Sequence, residues 1–397
     1  MLPDWLAAAP VEKVETLGLY IHVPFCRRAC HYCDFYFTPR ASLMGDYAEA
    51  LLREIDLYAP LLERFPIETV FLGGGTPSWL PIPLLERIFQ RLYRFSSYQP
   101  DEVTIEANPE DITTENLRHW QGLGVTRVSV GIQSFSENVL QTLGRYHAPA
   151  VARQAVEKLA SSFFDWNADL IFAVPGQSVE SFLADVRFLI EAGAPHLSLY
   201  GLTIEERTVL HKKLQRGRFS PPNEDAYRTA YLEANALLQA SGFIWYEISN
   251  YARPGRESLH NWRYWLRKPY LGLGPSAHSY LPHLRWANPR NLKAWVTTLG
   301  RDSFPVEFHE ELTIEKQRME VWLTQFRTRV GVMVAEVPGL SLAQQAALCQ
   351  TLEAMAQQNL VEKIGAAFRL TPEGALLSDA LILQLETAIE RAPALHV

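Results

Sequence analysis

The chain has 397 residues, of which 48% are hydrophobic and 20% are charged, a composition typical of a globular protein with a sizeable core. Its length predicts one large domain with a smaller appendage. The net charge of −7 argues against a broad basic surface, so we expect no nucleic-acid partner. No long apolar run predicts a membrane span, and the N-terminal segment lacks the basic start of an export signal, so a reducing cytoplasmic setting is expected.

Short apolar, β-branched runs alternate with amphipathic stretches through the first 240 residues. The predicted strands are Leu17–Val23, Thr69–Leu72, Glu102–Ala107, Arg127–Gly131, Ala168–Val174 and His196–Leu202. The predicted helices are Tyr47–Leu62, Leu84–Tyr93, Thr114–Gly122, Val151–Leu159, Val179–Ala192 and Asp225–Ala240. This alternation predicts parallel βα units. We therefore predict an α/β fold with a partial (β/α)6 barrel, and a doubly wound sheet is the alternative.

Three cysteines follow the first predicted strand in a C-x3-C-x2-C run, Cys26, Cys30 and Cys33. Cubane iron–sulfur clusters are normally held by one thiolate per iron, so three cysteines leave one iron open to another ligand. A structural zinc site completed by His22 or His31 is the alternative. The remaining cysteine, Cys349, is far away and has no C-x2-C partner. The spacing therefore favours an iron–sulfur cluster over zinc or a disulfide.

Polar and glycine-rich motifs lie at or near the ends of the next strands. The run Gly73–Pro77, Gly-Gly-Gly-Thr-Pro, follows the second strand, and its glycines allow the backbone to approach a ligand closely. Glu106, Gln133 and Asp169 belong to the third, fourth and fifth βα units, whose strand ends face one mouth of a barrel. Arg145 offers a planar fork for a carboxylate. We expect these groups around one ligand cavity.

The character of the chain changes from about Phe304. We predict a helix over Glu310–Val332, further helices over Leu340–Gln358 and a hairpin-like piece over Leu360–Leu370, which together form a small, mainly helical, winged-helix-like domain. The predicted organisation is a barrel over 1–240, a connecting region over 241–303 and a C-terminal domain over 304–397. In an acidic chain, a structural lid or docking surface is a better role for that domain than nucleic-acid binding.

At this point the chain resembles a known family, the oxygen-independent coproporphyrinogen III dehydrogenases of the radical S-adenosylmethionine (SAM) class, and within it the haem-chaperone branch. The runs that carry the resemblance are Tyr20–Cys26, Gly73–Pro77, Gly131–Phe135, Asp169–Gln177 and Gly274–Ser279. The resemblance implies a [4Fe–4S] cluster on the three cysteines, with SAM on the open iron. It also implies SAM contacts from Tyr20, Tyr32, Gly74, Gly75, Thr76, Glu106, Gln133, Arg145 and Asp169.

Two positions separate the branches of this family. The dehydrogenase branch has a fourth cysteine two residues after the third, and Phe35 stands there, which puts propionate decarboxylation in doubt. The run His260-Asn-Trp-Arg-Tyr264-Trp matches the haem-binding motif H-N-x-x-Y-W of the chaperone branch, so the resemblance implies haem bound at His260 and Tyr264. Whether His260, Tyr264 or His278 touches the iron is left open. The alternative is that these aromatic residues simply pack under a loop.

We therefore expect a haem chaperone that binds haem, delivers it to an acceptor protein and retains a radical-SAM core. Family analogy suggests a membrane respiratory enzyme as the acceptor, and a homodimer is one possible assembly. The rival hypothesis is an enzyme, a SAM-dependent coproporphyrinogen III dehydrogenase in which the cofactor supplies the difficult chemistry. A third is another radical-SAM reaction on an unknown substrate.

Overall fold

The computed structural model describes residues 2–7, 9–12 and 14–393. All six predicted strands are present, and they run parallel to one another. The first has the predicted bounds, and the others differ by a few residues at their ends. The strands are β1 (Leu17–Val23), β2 (Ile67–Gly74), β3 (Tyr98–Ala107), β4 (Arg127–Gln133), β5 (Asp165–Phe172) and β6 (His196–Gly201).

Further strands extend this sheet at both edges. They are β7 (Ile244–Glu247), β8 (Asn250–Ala252), β9 (Tyr270–Leu273), β10 (His278–Leu281), β11 (Leu284–Ala287) and β12 (Phe308–Glu311). Among the described residues the sheet has 12 strands in the order β12-β11-β10-β9-β1-β2-β3-β4-β5-β6-β8-β7. Strand β9 is parallel to β1, whereas the strands outside β9 and β6 are antiparallel. The sheet is open, and β1–β6 form the predicted partial barrel.

The helices of the barrel lie between these strands. They are α1 (Asp4–Ala7), α2 (Met44–Leu57), α3 (Ala59–Leu62), α4 (Ile82–Leu92), α5 (Thr114–Gly122), α6 (Glu137–Leu143), α7 (Pro149–Ala160), α8 (Val179–Glu191), α9 (Val209–Gln215), α10 (Glu224–Ala240), α11 (Leu259–Trp265) and α12 (Leu292–Leu299). The single helix predicted over Tyr47–Leu62 is instead α2 and α3. Pro60 in the first turn of α3 explains the break, because proline cannot continue the backbone hydrogen bonds of a preceding helix.

The interior face of the barrel is polar, and α11 fills its lower half. Gly18 and Tyr20 lie two residues apart on β1, so they share a face of the strand. Tyr20 lines the cavity above. Gly18 lies against α11, because a Cβ at Gly18 would be 2.6 Å from Nε of Arg263. Glu102 of β3 accepts hydrogen bonds from the backbone N–H groups of Leu259 and His260 at 3.1 and 3.0 Å. Helix α11 is thus the floor beneath the cavity.

The C-terminal region has its own apolar core, and its first predicted helix, Glu310–Val332, is wrong at both ends. Phe308–Glu311 is the edge strand β12, paired antiparallel with β11. The helix starts only after Thr313, whose hydroxyl caps it by accepting from Lys316 N–H. The elements are α13 (Ile314–Thr324), β13 (Val332–Met333), α14 (Leu342–Gln357), β14 (Val361–Ile364), β15 (Ala367–Leu370), α15 (Pro372–Ala375) and α16 (Ser378–Arg391). The segment predicted as further helices, Leu340–Gln358, holds the single helix α14, and the predicted hairpin is the antiparallel pair β14 and β15.

A helix needs about 20 consecutive, mostly apolar residues to cross the hydrocarbon core of a bilayer. In the part of the chain that the structure describes, no helix is both long enough and apolar enough to span a membrane.

Candidate functional site

A cavity of about 940 Å³ opens at the carboxyl ends of β1–β6, between the strand ends and the loop that follows β1. This is the end at which barrel folds bind ligands. It is lined by the three cysteines and by every residue predicted to contact SAM, namely Tyr20, Tyr32, Gly74, Gly75, Thr76, Glu106, Gln133, Arg145 and Asp169. Residues from five different βα units thus meet at one place, as their positions at or near the strand ends predict.

The cysteine loop is anchored at its base and carries unpaired, half-buried thiols. Thr38 N–H donates to Pro24 O at 2.6 Å, and Cys26 N–H donates to Thr38 O at 3.3 Å. Burial raises the pKa of the Cys26 thiol to about 12 and that of Cys33 to about 11, with a smaller contribution from the neighbouring thiols. Both groups are therefore protonated at neutral pH unless a bound cation stabilises the thiolate.

The donor set fits a multi-iron cluster better than a zinc ion. Within the described residues, no three His, Cys, Asp or Glu side chains converge tightly enough to hold a single metal ion. A cubane requires less convergence, because each thiolate binds its own iron. Thr76 Oγ1 donates to Cys26 Sγ at 3.4 Å, and Arg145 Nη1 donates to Cys30 Sγ at 3.5 Å; such donors stabilise anionic sulfur.

Arg145 links the cysteine loop to the strand ends. Its Nη2 donates to Asn108 Oδ1 and to Gly131 O, both at 2.8 Å. Its Nε is buried and has no hydrogen-bond partner among the described residues. An unpaired buried N–H is costly, so this guanidinium is suited to a carboxylate of a bound ligand. Asn108, which also donates to Thr76 Oγ1 at 3.4 Å, was missed in the sequence, although it stands in the Glu-Ala-Asn-Pro run after β3.

Two buried carboxylates lie on the inner face of the barrel above the floor. Gly74 N–H donates to Glu106 Oε2 at 3.0 Å. Burial, followed by repulsion from Asp169, raises the pKa of Glu106 to about 8. Burial also raises the pKa of Asp169 to about 6, although Asn167 Nδ2 donates to it at 2.9 Å. Among the described residues neither carboxylate forms an ion pair, although Arg145 is near enough to oppose the rise in the pKa of Asp169. A ligand ammonium would therefore suit Glu106, and ligand hydroxyls would suit Asp169.

Two glycines make room at the same strand ends. Gly74 has φ of 101°, and a Cβ there would lie 2.4 Å from the ring of His22. Gln133 is left-handed at φ 66° although it is not a glycine, and its side-chain amide lies close against Gly131. These conformations place backbone and amide groups at the cavity wall, where a side chain at either glycine would not fit.

The two residues predicted to bind haem occupy different environments. Tyr264 lines the cavity, whereas His260 is fully buried in the floor below it. His260 Nδ1 lies 2.8 Å from Thr69 Oγ1, and His260 Nε2 lies 2.9 Å from the hydroxyl of Tyr264. Burial, reinforced by Arg263, lowers the pKa of His260 to about 3. The imidazole is therefore neutral at physiological pH, and both of its ring nitrogens are hydrogen-bonded, one of them to the hydroxyl of Tyr264.

Three further residues of the His260–Trp265 run do not line the cavity. Arg263 is buried and is held by Glu68 and by Pro269 O, to which Nη2 donates at 2.7 Å. Trp262 and Trp265 face cations, with the guanidinium carbons of Arg329 and Arg327 lying 5.9 and 4.5 Å from their rings. Arg263 and the two tryptophans therefore contact other parts of the protein and not the cavity.

The chain is similar to proteins of known family. A family model described as the radical SAM superfamily matches residues 20–189. A Mycobacterium tuberculosis protein named "Heme chaperone HemW" is 36% identical over 377 residues, covering 94% of this chain and 95% of that protein. The Escherichia coli protein of the same name is 33% identical over 391 residues, covering 93% and 98%.

Among solved structures, coproporphyrinogen III oxidase (HemN) from Escherichia coli matches with a TM-score of 0.80 at 22% identity, covering 96% of this chain and 93% of that one. At that identity the match establishes the shared fold, and the predicted partial barrel with a C-terminal helical domain is confirmed. The curated relatives, matched over nearly their whole length, establish the family. The chain belongs to the HemW family of the radical SAM superfamily.

Proposed function

We propose that the chain is a haem chaperone, which binds haem, delivers it to acceptor proteins and carries a [4Fe–4S] cluster and SAM without acting as a coproporphyrinogen III dehydrogenase. The observation that carries this proposal is its similarity, over nearly the full length, to proteins named heme chaperone HemW. Phe35 supports it, because its ring lines the cavity and is 68% exposed at the position where the dehydrogenase branch has a cysteine.

The resident cofactors fit the polar half of the cavity. Cys26, Cys30 and Cys33 would hold the cluster, which when reduced supplies an electron to bound SAM. Glu106 is suited to the SAM amine, because among the described residues it forms no ion pair, and Arg145 is suited to its carboxylate, because its buried Nε has no hydrogen-bond partner there. The other predicted contacts line the same wall.

Haem is the cargo in this proposal, and the mouth of the cavity offers what its chemistry requires. Phe35 and the 69% exposed Tyr146 place apolar rings there, and Arg28 and Arg290 line the mouth as cations. A flat apolar macrocycle with two carboxylates matches aromatic surface flanked by guanidinium groups. Tyr264 lies deeper in the same cavity.

The proposal also covers the protein that receives the haem, the oligomeric state of the chaperone and its cellular location. We propose a haem-requiring membrane respiratory enzyme as the acceptor and the cytoplasm as the setting, since the thiols are unpaired and suit a reducing compartment. A homodimer remains a further part of this hypothesis, to be tested by sedimentation of the reconstituted protein with and without haem.

The decisive experiment uses one anaerobically reconstituted preparation for both activities. Haem titration followed by its Soret absorption is expected to saturate at one haem per chain. The same protein, supplied with SAM, a reductant and coproporphyrinogen III, is expected to form no protoporphyrinogen. Catalytic formation of protoporphyrinogen, or failure to bind haem, would overturn the proposal.

A further inference from the structure

The cavity extends past the predicted SAM contacts, along the side formed by β9 and β10. Tyr270, Ser276, His278 and Arg290 line this part, and none of them was predicted to contact SAM. The turn between β9 and β10 lies at the carboxyl end of β9, which runs parallel to β1. It therefore lies at the same end of the barrel as the cysteine loop.

The two histidines that line the cavity differ in whether their ring nitrogens have hydrogen-bond partners among the described residues. In the described part of the chain, the histidines that line the cavity are His22 and His278. His22 is buried, with Nδ1 at 3.0 Å from Tyr20 OH and Nε2 at 3.0 Å from Tyr36 O. His260 is buried below with both nitrogens engaged. His278 is exposed, and its ring makes no hydrogen bond to any described residue.

Hydrogen bonds fix the turn that leads into His278, the first residue of β10. Gly274 N–H donates to the buried carboxylate of Glu54 in α2 at 2.7 Å, and Asn288 Nδ2 donates to the same carboxylate at 2.6 Å. Asn288 N–H also donates to Ala277 O at 2.9 Å. Because these contacts fix the backbone that leads into His278, the imidazole is presented to the cavity from a defined position.

The surroundings of His278 suit an amphipathic macrocycle. The exposed ring of Phe35 also lines this mouth. Arg290 donates to Asp34 O through Nη2 and forms an ion pair with the Asp34 carboxylate at 3.6 Å, and no described residue accepts a hydrogen bond from its Nε or Nη1. The guanidinium carbon of Arg28 lies 5.9 Å from the ring of Tyr146. An imidazole, an exposed aromatic ring and guanidinium groups that line one cavity are the groups that haem iron, its macrocycle and its propionates would use.

We propose that His278 is the imidazole that ligates haem iron at the mouth of this cavity, and that His260 supports Tyr264 in the floor without reaching the iron. This inference rests on the proposed haem-binding function. It assigns the iron ligand to a residue outside the H-N-x-x-Y-W motif, because a ligand needs a free nitrogen facing the cavity and, of the two, His278 meets that condition.

The test compares His278→Asn with His283→Asn in the full-length reconstituted protein. His283 is exposed on the same hairpin, beyond the other end of β10, and does not line the cavity. His278→Asn is expected to abolish the imidazole signature in the electron paramagnetic resonance and Soret spectra of the ferric complex and to weaken haem binding by at least about tenfold. His283→Asn is expected to match the unmodified protein, and both are expected to keep the cluster absorption.

A ligand exchange gives an independent readout. His278→Met is expected to bind haem with a spectrum typical of thioether ligation, which no purely structural role of His278 would produce. An imidazole signature that persists in His278→Asn, or that disappears in His260→Gln instead, would overturn the inference and leave haem binding standing. Absence of haem binding by the unmodified protein would instead contradict the proposed function.

Discussion

The mouth of the cavity and its floor were both predicted from sequence motifs to bind ligands, yet they differ in how far the protein satisfies their polar groups. At the mouth, among the described residues, Arg145 Nε has no hydrogen-bond partner, Glu106 forms no ion pair, and the ring of His278 makes no hydrogen bond. In the floor, His260 and Arg263 are buried and hydrogen-bonded through all their side-chain nitrogens. Because buried polar groups are normally paired, the unpaired Nε of Arg145 indicates a ligand contact, and the paired His260 and Arg263 indicate an architectural role.

The largest expected effect concerns the mouth. Cys30→Ser removes one thiolate from the loop, and we expect loss of most of the cluster absorption after anaerobic reconstitution because a cubane normally needs one thiolate per iron. Cys349→Ser is the matched control, since Cys349 is a lone half-buried thiol in α14. Iron and sulfide analysis measures the outcome. A full cluster in Cys30→Ser would remove this residue from the site.

In the floor, we expect a substitution to lower the free energy of unfolding of the protein. Glu102 forms a buried ion pair with Arg127 at 2.9 Å and accepts from the first turn of α11. Glu102→Ala leaves a buried guanidinium without its carboxylate, and we expect the free energy of unfolding to fall by about 3–5 kcal/mol. Glu115→Ala, which removes an exposed acid on α5, is expected to change it by less than about 0.5 kcal/mol. Denaturant unfolding of the apoprotein measures both. Equal effects would erase the distinction between floor and surface.

Glu106→Gln should separate ligand binding from stability. Loss of a charged hydrogen bond to the SAM amine is expected to weaken SAM binding by roughly ten- to a hundredfold, measured by calorimetry. The variant should not destabilise the apoprotein. The pKa of Glu106 is raised from 4.5 to about 8 in the folded state, so its contribution to stability is complete below pH 4.5 and is lost as the pH rises through about 8.

The same substitution should therefore flatten the stability profile of the apoprotein between about pH 4.5 and 8. Glu157→Gln, on the exposed face of α7, serves as the control and should alter neither SAM binding nor this profile. Unchanged SAM affinity in Glu106→Gln would place the amine elsewhere.

The smallest effect on the fold is expected at Phe35. Its ring is largely exposed, so Phe35→Ala should change the free energy of unfolding by less than about 0.5 kcal/mol, while haem should dissociate faster from the mouth because an aromatic contact is lost. Phe163→Ala removes an aromatic ring that is 59% exposed and lies away from the cavity. Stopped-flow transfer of haem to an apo-acceptor measures the rate. Equal rates in the two variants would exclude Phe35 from the haem surface.

Local sequence signals were sufficient for the barrel but not for its edges. The six strands follow from apolar runs between amphipathic helices, and the bounds of β1 and α5 agree with the prediction. The last two residues of β12, Glu310 and Glu311, were predicted as helix. A short edge strand such as Phe-His-Glu-Glu has no clear period and owes its structure to pairing with β11. Such pairing is a long-range contact that local propensity does not contain.

The amino-acid sequence was enough to predict the cysteine loop and the strand-end residues that meet at one mouth, because these depend on spacing and on the rule that parallel strands end at the same edge. The significance of Phe35, which stands where a related branch has a fourth cysteine, came from the family resemblance. Only the tertiary structure decided that α11 enters the barrel, that His260 is buried with both nitrogens engaged, and that His278 lines the cavity with a free ring. The physical reason is that residue types state which ligands a side chain can bind, whereas burial and hydrogen-bond partners decide whether it is free to bind them.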